Sequence, residues 1–448
     1  TFVAAGGCNA AKTPQNELTV AEALLAGLLD HSVDNRGDVG SWVRKQCLET
    51  LTVLCRSDST LLARMAAEHG DDVVMLLLGR TLRATTEKLD RLRAEAGELL
   101  ETLLYGQQDD PSLAAVADRP PLVRKCLAQL RRYVPPPPGG DGDFRRGQGG
   151  PSLLDKSGEG IDWADPETAY ARVAHALSVD EQSLRQPLFE GLVVTGSTEP
   201  LGRFAVNAVS LFADTLPATA EAPSAARLSN NEAAITAPEH GDSHAGQWSV
   251  DGIVDELTRL LLTDRRTSKV INPALIVADQ LIEQGALASA SPERQNIAGI
   301  SYVCDTWTGA LIIRSWIVAH LGLCRWLSLY RAVRWNAHGL RAPQRLGLCL
   351  KLYSSLSLVS GEAARMALGS VLAYLCHPIP KIRQMAADQL FAMICINGVL
   401  AGSDEERMER IQTILTETEW MSANEDDLKR CKAEMAELVG LDVNAAAQ

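Results

Sequence analysis

Two nonapeptides more than three hundred residues apart share one pattern, and that pattern limits the folds open to the chain. Val43-Arg44-Lys45-Gln46-Cys47-Leu48-Glu49-Thr50-Leu51 and Ile382-Arg383-Gln384-Met385-Ala386-Ala387-Asp388-Gln389-Leu390 follow the same order. Each has a β-branched residue, Arg, two polar or long residues, a small residue, an apolar one, an acid, a polar residue and Leu. A shorter echo is Val123-Arg124-Lys125-Cys126-Leu127. The small residue lets a neighbouring helix approach closely, and residues four and eight further on extend one apolar face. Such a unit reads as the second helix of a HEAT-type pair, whose apolar face is buried only by stacking on its neighbours. Pro378 and Pro380 fit a turn feeding the later copy at its first helical positions. The period is degenerate, so a generic helical bundle stands beside the HEAT reading.

Elsewhere apolar residues recur at helical spacing, and no alternating run demands a sheet. The expected fold is all-α, a HEAT/armadillo-like helical-repeat solenoid with disordered insertions. Helices are expected near 20–29, 41–55, across 71–105 as one long helical region, and at 122–133, 166–177, 184–194 and 203–211. Later ones fall at 250–262, 273–284, 345–358, 362–376, 378–396, 404–418 and 424–438. Two compositional breaks interrupt them. Residues 135–160 hold four consecutive prolines and many glycines, a linker composition. Residues 216–246 are rich in Ala, Ser, Asn and Pro and read as a low-complexity insertion. The resulting division is helical repeats at 1–134, the linker at 135–160, repeats at 161–215, the insertion at 216–246, and repeats at 247–300. An atypical Trp-rich segment at 301–343, repeats at 344–440 and a disordered tail at 441–448 complete it. Thr1 in place of Met suggests a fragment or a processed piece.

A net charge of −13 argues against a general binder of nucleic-acid backbones and suits protein partners. The ten cysteines form no Cys-x-x-Cys pair and no zinc-finger spacing with His. Most lie in apolar helical runs, where free Cys acts as a small hydrophobe. With no signal peptide or glycosylation sequon, the expected compartment is the cytoplasm. Residues 310–330 are apolar enough to suggest a membrane span. Arg314, His320 and Arg325 oppose it, since a central Arg adds about 2.5–3.5 kcal/mol to insertion, and a buried or irregular helix is the expectation.

Motifs of catalysis are missing: no P-loop, no nucleophile elbow and no His-Glu-x-x-His pair. No metal site and no cofactor are expected. Glu239, His240, Asp242 and His244 could be drawn as a metal cluster, but they fall in low-complexity sequence. His377 reads as a turn histidine without a second ligand nearby. The most distinctive stretch runs from Leu29 to Arg44, a polar turn between two helices with Gly37 and Gly40 free to take positive φ. Asp38 or Ser41 can cap the following helix. Two readings remain open. In one, the turn is structural, with Trp42 packed between layers and Arg44 bridging to a nearby acid. In the other, Asp34, Arg36, Asp38, Trp42 and Arg44 form a partner-binding ridge, because solenoid loops align along one face.

Three segments carry a family resemblance. Asp30-His31-Ser32-Val33-Asp34-Asn35-Arg36-Gly37-Asp38-Val39-Gly40-Ser41-Trp42-Val43-Arg44 closely resembles the turn-and-helix segment of the tubulin folding cofactor D family. Val270-Ile271-Asn272-Pro273-Ala274-Leu275-Ile276-Val277-Ala278-Asp279-Gln280-Leu281 and Leu375-Cys376-His377-Pro378-Ile379-Pro380-Lys381-Ile382-Arg383 resemble later parts of its C-terminal region, in the same order. The resemblance implies a HEAT solenoid that captures β-tubulin after chaperonin release and works with tubulin cofactors C and E to assemble the α/β heterodimer. It also implies stimulated GTP hydrolysis by tubulin, association with an Arf-like small GTPase, and a cytoplasmic location extending to microtubules, centrosomes or basal bodies. No catalytic site of the chain's own is implied. The resemblance spans roughly residues 18–400 and lapses around 301–343, where Trp307, Trp316, Trp326 and Trp335 cluster; a lineage insertion and a translated non-coding stretch both fit that composition.

Overall fold

In the computed structural model, the described residues are 14–35, 37–57, 61–62, 65, 70–105, 121–136, 161–216, 248–262, 268–290, 325–359, 361–396 and 405–441. Most of the two expected linkers, the Glu239–His244 cluster, residues 301–324 and most of the tail lie outside them. The described residues fall into two units, one through Phe212 and one from Trp248 onward.

The first unit contains α1 (Pro14–Gly27), a two-residue hairpin of β1 (Val33–Asp34) and β2 (Gly37–Asp38), and α2 (Gly40–Ser57). It continues with α3 (Asp71–Ala84), α4 (Asp90–Tyr105), α5 (Pro121–Tyr133), α6 (Pro166–Ala174) with a 3₁₀ turn at His175–Ser178, α7 (Gln182–Gly196) and α8 (Gly202–Asp214). The expected continuous run over 71–105 is in fact two helices. Thr85 and Thr86 end the first, their hydroxyls donating to the carbonyls of Leu82 and Arg83 at 2.7 and 2.6 Å. Threonine hydroxyls offer the backbone this local alternative, so a helix can stop without Gly or Pro.

Small residues set how closely these helices pack. A Cβ on Gly79 would lie 2.8 Å from the Ser183 carbonyl and 3.4 Å from the Pro187 ring, so α3 can meet α7 only with glycine there. Pro187 sits inside α7 and has no N–H for Ser183, which leaves that carbonyl outside the usual helical ladder. Gly97 on α4 gives the same access to the Trp163 indole, whose Nε1 donates to Glu101 at 2.8 Å.

The second unit repeats more regularly. Its helices are α9 (Val250–Leu261), α10 (Ser268–Glu283), α11 (Arg325–Ala337), α12 (Pro343–Leu356), α13 (Glu362–Tyr374), α14 (Pro380–Phe391) with a π turn at Ala392–Ile396, α15 (Glu405–Glu417) and α16 (Glu425–Leu438). Each odd helix packs on the next even one. Beyond that, α9, α11 and α13 stack in sequence, as do α10, α12 and α14. Two parallel layers of stacked helices are the architecture of an α-solenoid, and the chain is an all-α helical-repeat protein. The only strands among the described residues are the two of the short hairpin, Val33 paired with Asp38 and Asp34 with Gly37.

One helix boundary departs from the sequence expectation, and one helix overlaps the end of the buried helix expected at 310–330. Helix α10 begins at Ser268, five residues before Pro273, which sits within it. Helix α11 lies inside the Trp-rich segment, burying Trp326 and Tyr330 and packing on α9 and α12 as a regular member of its layer. Polar ties cross the same layer: Arg325 reaches Asp251 and Asp255 at 2.9 and 3.0 Å, and the Asn336 amide donates to the Leu261 carbonyl at 2.6 Å. No described helix is long and apolar enough to cross a membrane. Cys47, Cys55, Cys126 and Cys349 are buried in helices, and burial pushes the Cys126 and Cys349 thiols up to about 11 and about 12.

Candidate functional site

The 30–44 turn is held by its own polar groups. Gly37 has φ +108°, as the hairpin requires, whereas Gly40 is needed for closeness: a Cβ there would lie 2.3 Å from the Asp30 carbonyl oxygen. Asp38 Oδ1 accepts from the Ser41 amide at 3.1 Å and caps α2, while the Ser41 hydroxyl donates to the Asp38 carbonyl at 2.6 Å.

Arg44, only 3% exposed, closes the turn from beneath. Its guanidinium donates to the Asp30 carbonyl, meets the Asp38 carboxylate at 2.7 Å and lies 3.0 Å from Glu87. Burial acts against Asp38, but the hydrogen bond and charge of Arg44 prevail and hold its carboxyl below the ordinary range. For Glu87 burial prevails over Arg44 and raises the carboxyl.

One repeat further on, Arg93 is fully buried. It donates to the Trp163 carbonyl at 2.7 Å, the Glu87 carbonyl at 2.9 Å, the Tyr170 hydroxyl at 3.2 Å, the Asp90 carboxylate at 2.8 Å and the Ala164 carbonyl. In the second unit Arg383 donates to the carbonyls of Trp420, His377 and Met421 at 2.7, 3.1 and 3.1 Å. The three arginines thus do one job: each, on the first turn or so of its helix, binds its own preceding turn and the turn of the following repeat. His377 accepts from the Ile379 amide at 3.1 Å through Nδ1 and stacks on Tyr374.

The proposed ridge residues therefore separate. Arg44 is buried, and Asp38 is tied to it. Asp34 is exposed on β1, and Arg36 lies outside the described residues. Trp42 is not packed between layers. It is 68% exposed, with the Arg91 guanidinium 5.0 Å from its ring centroid. Arg91 also reaches the Ser41 hydroxyl at 3.4 Å. By helical spacing Glu87, Arg91 and Arg93 belong to a mixed-charge outer face of the 71–105 region; the structure instead buries Arg93 completely, and Leu92-Arg93 followed by Ala96 repeats the motif of Val43-Arg44 and Cys47. The Val123-Arg124 echo does not behave alike: Arg124 is exposed.

Among the described residues no group of three or more His, Cys, Asp or Glu is placed to hold a metal. The charged groups of the turns engage one another and main-chain carbonyls, leaving an outward face of indole, guanidinium and carboxylates.

Residues 76–245 match the family described as tubulin folding cofactor D C terminal. The chain is also 34% identical over 92 residues to the tubulin-folding cofactor D of Schizosaccharomyces pombe, a match covering 20% of this chain and 8% of that relative. The family match takes in Glu87, Arg93 and Trp163; the 30–44 turn precedes it.

Proposed function

We propose, on the premise that residues 76–245 are a C-terminal region of the tubulin folding cofactor D family, that the chain is part of a tubulin-folding chaperone scaffold. On this reading it binds β-tubulin and helps assemble the α/β heterodimer with tubulin cofactors C and E. It promotes GTP hydrolysis on its partner without a catalytic site of its own, associates with an Arf-like small GTPase, and works in the cytoplasm at or near microtubules and their organising centres. The observation that supports the reading is the family match over 76–245 in a chain built of helical repeats, since stacked repeats offer an extended surface for a folded client.

Within that reading the first turn is a partner-binding ridge. Asp34, Arg36 and Trp42 would make contact, while Asp38 and Arg44 hold the turn in shape. Arg44 is a poor probe of binding, because removing a buried cation opens the turn itself.

The test is capture of purified α- and β-tubulin by the full-length parent protein, repeated with Asp34→Ala/Trp42→Ala. Selective β-tubulin capture is expected, weakened in the variant at unchanged circular dichroism. Failure of the parent to capture tubulin would leave a helical scaffold for other partners, such as a transport or phosphatase-type adaptor.

A further inference from the structure

The turns that Arg44 and Arg93 bind together, around residues 30–41, 85–90 and 161–165, form one continuous edge of the first unit. Its apolar part is unusual for an exposed surface. Trp42 and Val33 are each 68% exposed, and Leu89 is 36% exposed. Of the six described tryptophans, Trp42 alone is exposed. Leaving an indole in water forgoes the gain of burying it, and Trp and Arg are the residues most enriched where interfaces concentrate their binding energy. Trp42 is also held in place, one residue beyond the Asp38–Ser41 cap and beneath the Arg91 guanidinium. A side chain ordered in advance loses less entropy on binding.

The charge around this patch has a sign. Residues 30–44, 85–93 and 161–167 contain eight carboxylates and five cations. Arg44 and Arg93 are buried and paired with Asp38, Glu87 and Asp90, and the groups that remain keep an acidic balance of five carboxylates to three cations. Asp34, Asp90 and Asp162 are all exposed.

We propose that this edge docks a basic segment of a partner protein, with one aliphatic or aromatic side chain seated against Trp42 and its Lys or Arg side chains over Asp34 and Asp162. The proposal rests on the partner-binding reading of the first turn and adds the chemistry of what binds there. Charge complementarity of this kind sets orientation and encounter rate, and the apolar anchor supplies the hold.

The experiment titrates the full chain into fluorescein-labelled peptides and follows anisotropy at low and high salt. One peptide is lysine-rich with a central leucine, the second has glutamate for lysine, and the third has serine for leucine. Binding of the first alone is expected, weaker at high salt. Trp42→Ala should weaken it at least about tenfold, and Asp34→Lys/Asp162→Lys should weaken it and flatten its salt dependence. Thermal melting checks both variants for folding, and the charge-reversed one keeps the test open if Trp42→Ala melts early. Equal binding of the glutamate peptide, no binding of the lysine–leucine peptide, or indifference to both variants would overturn the proposal. A parallel titration with β-tubulin separates the two readings. Peptide binding through Trp42 without tubulin binding retains this edge and discards the tubulin client; tubulin binding with no peptide binding does the reverse.

Discussion

Removing the Arg93 guanidinium is the sharpest perturbation the structure offers. In Arg93→Ala the Trp163 carbonyl loses its donor inside the protein, and an unsatisfied buried carbonyl costs about 1–3 kcal/mol. The Glu87 carbonyl is spared, because the Tyr170 hydroxyl also donates to it at 3.1 Å. The Asp90 pair adds little, since that carboxylate is 69% exposed. Loss of the guanidinium lying 5.3 Å from the Tyr170 ring removes roughly 0.5–2 kcal/mol more, and the space left by a fully buried side chain adds to both. The expected loss is about 3–5 kcal/mol, concentrated where 161–170 meets the 85–90 turn. Because the chain has two units, a global unfolding midpoint would blur this. Hydrogen exchange read by mass spectrometry on peptides from 161–174 localises it, and exchange there should rise by roughly two to four orders of magnitude. Peptides of α12–α14 should stay unchanged. A rise of less than about fivefold, corresponding to under 1 kcal/mol, would refute the argument that Arg93 joins the two turns.

Two further substitutions probe other contacts. Gly97→Ala places a methyl within 2.1–2.4 Å of three Trp163 ring atoms and should destabilise the first unit by about 1–3 kcal/mol. Adding Trp163→Ala should make the pair clearly non-additive in denaturant melts, and simple additivity would show that the two do not touch. Burial pushes the Asp255 carboxyl up to about 6 against the opposing hydrogen bond and charge of Arg325. Since the unfolded chain ionises near 3.9, stability contributed at this site is lost as pH rises from about 4 to 6. Asp255→Asn should therefore raise the melting temperature at pH 7 and flatten its slope across that window. With the side chain 28% exposed, the gain is about 1–2 kcal/mol, and an unchanged slope would remove Asp255 as its source.

Helical periodicity carried the fold class because every described helix must bury one face on a neighbour, and that requirement is written directly in residue spacing. Arg44 and Arg383 were visible as a motif for the same reason. What periodicity cannot encode is a helix end made by hydroxyls. Thr85 and Thr86 look ordinary inside an amphipathic run, so the α3–α4 break passed unnoticed. Pro273 misled in the opposite direction: proline at a first helical turn is common, yet here the helix starts before it. The exposure of Trp42 was equally hidden, because an indole on the first turn of a helix packs inward or stands outward according to which neighbour covers it. Arg91, on the following repeat, lies over the ring, a contact that no local spacing reveals. The partner-binding role of Asp34, Arg36 and Trp42 is a matter for the binding assays above.

The three buried arginines have a consequence for how such a chain can diverge. Arg93 and Arg383 address the following turn through main-chain carbonyls, which every residue possesses. The bolt therefore does not care what the turn displays. Side chains facing outward at 161–165 or 419–422 can be exchanged wholesale while the repeats remain in register, so frame and display are free to change at different speeds. Arg44 is the exception, because two of its three partners are the side chains of Asp38 and Glu87. At that rung the display and the frame share atoms, and alteration of one must be matched in the other.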